Sequence, residues 1–148
     1  MKLNDKHWEI LTRILTPPRS IQLHIDCYPV IVSAISHKNP LNGHLTVIVN
    51  HPKYRTWNWL WENSDECENM RMRFCRPRQL FPCVKATKSN VKKYGKRFLN
   101  SFKNDNMVTA YDPSWPSLSS LKRHLIKNNK SIELTGPDWV LKLMESEK

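Results

Sequence analysis

At 148 residues, with 24 Lys or Arg against 13 Asp or Glu, the chain carries a formal charge of +11 and is long enough for one domain with a real hydrophobic core. Apolar residues make up 39% and charged residues 25%, which excludes a disordered polar chain, and no stretch approaches the roughly 18 apolar residues of a membrane span. Only three glycines are present, Gly43, Gly95 and Gly136, too few and too scattered for the familiar glycine-rich phosphate loops.

Taken in order, Met1 to Glu9 is polar and lacks the continuous apolar region of a secretory signal, so a cytoplasmic location is expected. The four cysteines then read as thiols rather than a disulfide framework. Asn4 to Leu15 predicts an amphipathic helix with Asn4 as N-cap, Trp8, Leu11 and Leu15 on one face, and Pro17-Pro18 as its stop. Ser20 to Ile25 alternates Ile21, Leu23 and Ile25 against Gln22, His24 and Asp26, the pattern of a half-buried strand. A tight turn at Asp26-Cys27 leads to a second strand, Tyr28 to Ser36, although such turns prefer glycine where Cys27 stands. Asn39 to Gly43 marks another hairpin turn before a strand from His44 to Asn50.

Tyr54 to Trp61 predicts a strand with Trp57, Trp59 and Trp61 at spacing two, so that all three indoles share one face. Glu62, Asp65, Glu66 and Glu68 form an acidic turn or short helix. Met70 to Cys75 then predicts a further strand, with Arg71 and Arg73 opposite Met72 and Phe74. Pro77 and Pro82 open a loop to about Thr87. A helix follows to Lys103, with Val91, Tyr94, Phe98 and Phe102 inward, and Gly95 inside it costs about 1 kcal/mol relative to alanine. Asn106 to Tyr111 is a candidate strand, Leu118, Leu121 and Leu125 fall in helical register after Pro116-Ser117, Ser131 to Leu134 is a last strand, and Pro137 to Met144 ends the chain helically. The expected fold is α+β: an antiparallel meander of four to five strands with two or three helices packed on it. The expected organisation is a single domain over 1–148, with the N-terminal helix in 1–18, the sheet in 19–76, and the basic and C-terminal helices in 77–148.

Charge is distributed very unevenly along these elements. Arg71 to Lys103 holds eleven Lys or Arg residues and no Asp or Glu, while the rest of the chain balances 13 bases with 13 acids. A neutral scaffold with one cationic segment points to a polyanion, most often nucleic acid. Arg71, Arg73, Arg76 and Arg78 supply planar donors suited to phosphate oxygens, and Lys88, Lys92, Lys93, Lys96 and Arg97 would line the following helix. Against this, Arg71 and Arg73 also suit pairing with the acids at 62 to 68, but four acids cannot neutralise eleven cations. Lys122, Arg123, His124 and Lys127 on a second basic helix face could enter a groove and contact phosphates, although the plainer reading is the solvated side of an amphipathic helix. The face of Trp57, Trp59 and Trp61 either stacks bases or, as alternating aromatics more often do, packs as core.

Cys27, Cys67, Cys75 and Cys83 include no close pair of the kind structural zinc sites use, so no metal is expected, and no cofactor. His24, His44 and His51, with Asp26 and Arg55 on neighbouring strands or turns, are weak candidates for a metal-independent ribonuclease, which needs a base, an acid and a cation.

Several phrases occur together: Leu23-His24-Ile25-Asp26 followed by Tyr28, Trp57-Asn58-Trp59, Arg73-Phe74-Cys75-Arg76-Pro77, and Tyr111-Asp112-Pro113-Ser114-Trp115-Pro116-Ser117 running on to Leu134. In these the chain resembles a set of small uncharacterised proteins carried by bacteriophages and prophages, from Ser20 to Leu134; Cys27 departs from the glycine expected there. The resemblance implies a mobile-element setting in a bacterial host and supplies no catalytic residues. The expectation is an accessory protein, more a binder than an enzyme, that engages RNA or DNA, or a host nucleic-acid-containing complex, as an inhibitor of host defence such as a CRISPR effector. A small ribonuclease and a protein-only interaction module are the alternatives.

Overall fold

In the computed structural model, the described residues are 1–36, 45–54, 57–79, 88–95, 97 and 109–146. Helix α1 is Asp5–Ile14, closed by a reciprocal cap in which the Asn4 side chain accepts from the His7 N–H at 2.9 Å and His7 Nδ1 accepts from the Asn4 N–H at 3.2 Å. Strands β1 (Ser20–Ile25) and β2 (Tyr28–Ala34) form the predicted hairpin, with Ile25 opposite Tyr28. Asp26 takes the left-handed turn conformation at φ 51, a region short polar side chains tolerate. Strand β3 is Leu45–Val49 and continues the meander antiparallel to β2.

The next two predicted strands are not strands. Trp57 to Trp61 is a tight turn with 3-10 geometry at Asn58–Leu60, so the three indoles do not share a face. Trp59 is fully buried, Trp57 is half-buried, and Trp61 is 69% exposed. Asp65–Phe74 is helix α2, which replaces the expected strand at Met70 to Cys75. Its physical basis is local. Ser64 caps it by accepting from the Cys67 N–H, Asp65, Glu66 and Glu68 occupy the first turn, and Arg71 and Arg73 the last, each sign matched to the helix dipole. Cys67, Met70 and Phe74 fall on one buried face at helical spacing.

β4 (Arg76–Gln79) and β5 (Thr109–Asp112) pair as a separate two-stranded sheet, and α3 is Lys88–Tyr94. Gly95 follows α3 at φ 84, the left-handed conformation in which helices commonly end, so it stands after the helix described here rather than within it. The chain then adds β6 (Ser114–Trp115), helix α4 (Leu118–Asn128, capped by Ser117), β7 (Ile132–Gly136) and helix α5 (Asp138–Ser146). The expected turn at 39–43, the Pro82 loop, Lys85, the helical continuation through Phe98 to Lys103, and the strand start at Asn106 lie outside the described residues.

The fold is α+β. The main sheet is antiparallel in the order β6-β3-β2-β1-β7, so three sequential strands make the meander and two later strands flank it. The chain divides into two units, Met1–Arg76 with Pro113–Lys148, and Pro77–Asp112. The first holds the five-stranded sheet and a core of Ile21, Leu23, Ile25, Val30, Val32, Val47 and Val49 from the strands, with Leu11, Met70, Phe74, Leu121, Leu125 and Met144 from the helices. Each such side chain contributes about 1.5–3 kcal/mol by leaving water. Trp59 meets Phe74 edge-on at 6.5 Å, and Phe74 meets Tyr28 edge-on at 5.6 Å, so an aromatic cluster ties the turn and α2 to the sheet. Among the described residues, no helix is long and apolar enough to cross a membrane.

The three tryptophans should therefore behave unequally. Trp59→Ala is expected to cost about 3–5 kcal/mol, the range for emptying a fully packed aromatic site. Trp61→Ala should stay within about 0.5 kcal/mol. Urea unfolding of the two variants checks this, and equal losses would restore a common face.

Candidate polyanion interface and an ionic clasp

The basic block separates into internally engaged and outward-facing residues. Arg71 is half-buried, and its Nη1 donates to the carbonyls of Trp59 at 2.9 Å and Glu62 at 3.0 Å, holding the tryptophan turn against α2. Arg73 donates from Nη1 to Asp26 Oδ2 at 2.5 Å and to Asn129 Oδ1 at 3.1 Å, with its guanidinium 5.8 Å from the centre of the Tyr28 ring. Asp26 also accepts from the backbone N–H groups of Ser131, at 2.9 Å, and Lys130, at 3.2 Å. One carboxylate thus joins the β1–β2 turn, the end of α2 and the segment from α4 to β7.

Burial by itself would raise the Asp26 carboxyl. The Ser131 and Lys130 amides and the Arg73 guanidinium outweigh it and hold the group below the usual carboxylate range. Arg71 and Arg73 therefore act as structural cations. Neither projects from a strand, as the sequence pattern suggested.

Other members of the block point outward. Lys88, Lys92 and Lys93 are exposed on α3, and Arg97 is exposed just beyond it. Arg76 is half-buried on β4; Arg78 lies on the same strand, and Lys96 lies outside the described residues. On α4, Lys122 pairs with Asp5 at 2.8 Å and lies 5.8 Å from the Trp8 ring centre, whereas Arg123 is exposed.

His124 is not a phosphate contact in this arrangement. Its ring lies 4.9 Å from that of Trp115, its Nε2 bonds the Met72 carbonyl at 2.9 Å, and Asn128 meets its Nδ1. Burial pushes its pKa down, against a smaller opposing effect from the Met72 carbonyl, so the neutral ring donates from Nε2. Trp115 in turn donates to the Phe74 carbonyl at 3.1 Å.

Of the histidines proposed for catalysis, His24 and His51 are described, and their surroundings differ. His24 is exposed on β1, on the face opposite the buried Ile25 and Tyr28. His51 packs on the rings of Tyr28 and Tyr54, at 6.1 and 5.1 Å. Its Nδ1 accepts from the Lys53 N–H, and its Nε2 meets Glu66 at 2.9 Å. His44 and Arg55 lie outside the described residues. Cys27, Cys67 and Cys75 are thiols, the latter two buried, and no group of three metal-ligating side chains occurs among the described residues.

Nothing in the sequence pattern pointed to the clasp on Asp26. Its only linear signals are an Asp at a hairpin tip and Asn-Asn at a helix end, joined to an arginine 47 residues away.

Asp26 has its folded pKa lowered, so its stabilisation is complete above the ordinary carboxylate value near about 4 and is lost as pH falls through the lower folded value. Asp26→Asn is expected to cost about 1.5–3 kcal/mol at neutral pH, the usual scale for hydrogen bonds to a charged group. The gap from wild type should close on acidification. Chemical denaturation across that pH window reads the difference, and a gap independent of pH would exclude the carboxylate as its source.

Comparison with known protein families, with curated proteins and with solved structures finds no match to this chain.

Proposed function

We propose that this protein is a non-enzymatic binder of nucleic acid, acting on RNA, DNA or a nucleic-acid-containing complex through exposed cations. The observation that carries this reading is the fate of the acid-free block. Arg71 and Arg73 are engaged within the fold, yet Lys88, Lys92 and Arg97 are exposed on a segment with no acid of its own. Their side chains are flexible, hydrated point charges or planar forks, suited to phosphate oxygens and able to release counterions on binding. Trp61, exposed at the end of its turn, adds one indole face on which a base can stack.

The resemblance to phage and prophage proteins suggests the setting: an accessory factor in a bacterial cytoplasm, with inhibition of a host defence ribonucleoprotein such as a CRISPR effector as one concrete form. A ribonuclease is the weaker reading, because His24 stands exposed on β1 while His51 is already committed to Glu66 and the Lys53 amide.

Replacing Lys88, Lys92 and Arg97 together by Glu is expected to weaken binding of a labelled oligonucleotide at least tenfold at low salt, with little change in thermal stability. Fluorescence anisotropy measures it. Unchanged affinity would remove α3 from the interface, and RNA cleavage abolished by His51→Ala would favour the enzyme.

A further inference from the structure

A second basic surface runs along the outer side of α4, where the sequence pattern offered either phosphate contacts or a solvated face. Three adjoining concavities, of about 350, 460 and 320 Å³, are joined in pairs: Ile126 lines the first and second, Ser119 and Lys122 the second and third, and Trp8 the first and third. Together they make one furrow: two lie between α4 and α1 with the N-terminal segment, one of them also lined by Asp5 and Glu9, and the third, which holds Arg123 and Lys127, lies on the outer face of α4 itself. Within it Lys122 is already engaged by Asp5 and lies over Trp8, closing the inner wall. Arg123, Lys127 and Lys130 are exposed and have no ion-pair partner among the described residues. Arg123 and Lys127 stand one helical turn apart, so their charges repeat along the furrow, and Lys130 continues the row past the helix end. The backbone N–H of Lys130 is bonded to Asp26, which fixes where that last cation emerges. Between the cations sits Ile126, 54% exposed, a large apolar side chain on an otherwise charged strip.

We infer that this furrow takes a single-stranded nucleic acid, with its phosphates on Arg123, Lys127 and Lys130 and a base face against Ile126. The inference rests on the nucleic-acid reading above and adds a second binding surface and a strand type to it. Charge complementarity selects a polyanion. An amphipathic helix from a protein partner would want an apolar stripe repeating every three or four residues, whereas here Ile126 is the one exposed large apolar side chain of α4 beside the cations, with Leu3 and Ile132 partly exposed at one end. A duplex presents phosphates and groove edges, leaving Ile126 without an apolar counterpart, while an unpaired base has a free face for it. His124, which flanks this row, faces inward to Trp115 and Met72 and takes no part.

The test uses the full chain and a labelled mixed-sequence oligonucleotide, as single-stranded RNA, single-stranded DNA and duplex DNA, over a salt series. The furrow variant Arg123→Glu with Lys127→Glu and Lys130→Glu is compared with the α3 variant described above. The furrow variant should bind single strands at least tenfold more weakly, and the slope of log affinity against log salt should flatten by about 2, since each of the three phosphates no longer neutralised removes roughly 0.7. In wild type, bound oligonucleotide should protect Lys127 and Lys130 from amine acetylation, a readout that needs no variant to fold.

Wild-type affinity and slope in the furrow variant, with Lys127 and Lys130 unprotected, would overturn the furrow while leaving the nucleic-acid reading standing on α3. No binding of any oligonucleotide by wild type would overturn both. Equal binding of duplex, or displacement by polyglutamate as effective as by polynucleotide, would overturn the assignment of a single strand.

Discussion

The arrangement of the larger unit depends on one carboxylate. Asp26 sits in a left-handed turn at the tip of the first hairpin, receives the amides of Lys130 and Ser131, and pairs with Arg73, which also reaches Asn129. These groups come from three places far apart in the chain, and their union fixes the relation of α2 and the α4–β7 segment to the sheet. A half-buried ion pair is a poor source of net stability by itself, because desolvation offsets much of the attraction. Its worth here is geometric. Every lone pair it uses meets a donor that a shifted register would leave unpaired, so the hairpin, α2 and the start of β7 are locked to one mutual placement.

Around that clasp the remaining polar contacts follow the same logic of joining elements through backbone carbonyls. Arg71 fastens the tryptophan turn to α2, Trp115 bonds the carbonyl of Phe74, and His124 bonds that of Met72. The end of α2 is thus held through its carbonyls and its arginine, and its apolar face is filled by Cys67, Met70 and Phe74. Cations that would otherwise be counted as a binding surface are used to hold this helix. Lys88, Lys92 and Arg97 in one unit, and Arg123, Lys127 and Lys130 in the other, are exposed instead.

Much of this was legible in the sequence where local signals agreed. Asn4 ahead of an amphipathic run gave α1, alternation gave β1 and β2, and Ser117 with Leu118, Leu121 and Leu125 gave α4, because cap, period and stop all pointed one way. The failures came where a short window fitted two periods. Arg71-Met72-Arg73-Phe74 alternates like a strand, but Ser64, the acids after it and the arginines at the end form a complete helix signature around it. Trp57, Trp59 and Trp61 likewise matched spacing two, and a tight turn sent one indole into the core and another to solvent. The division of the basic block into structural and outward residues was not legible, since it depends on Asp26 and on two backbone carbonyls that no spacing rule connects to an arginine.

The central claim is that a polyanion, and specifically nucleic acid, meets the outward cations. Its most direct test is the affinity of the purified, nuclease-treated protein for a mixed-sequence single strand across a salt series. The account predicts tight binding at low salt that weakens steeply and linearly on logarithmic axes, as several counterions are released. Absence of binding at low salt, or an affinity indifferent to salt, would contradict it.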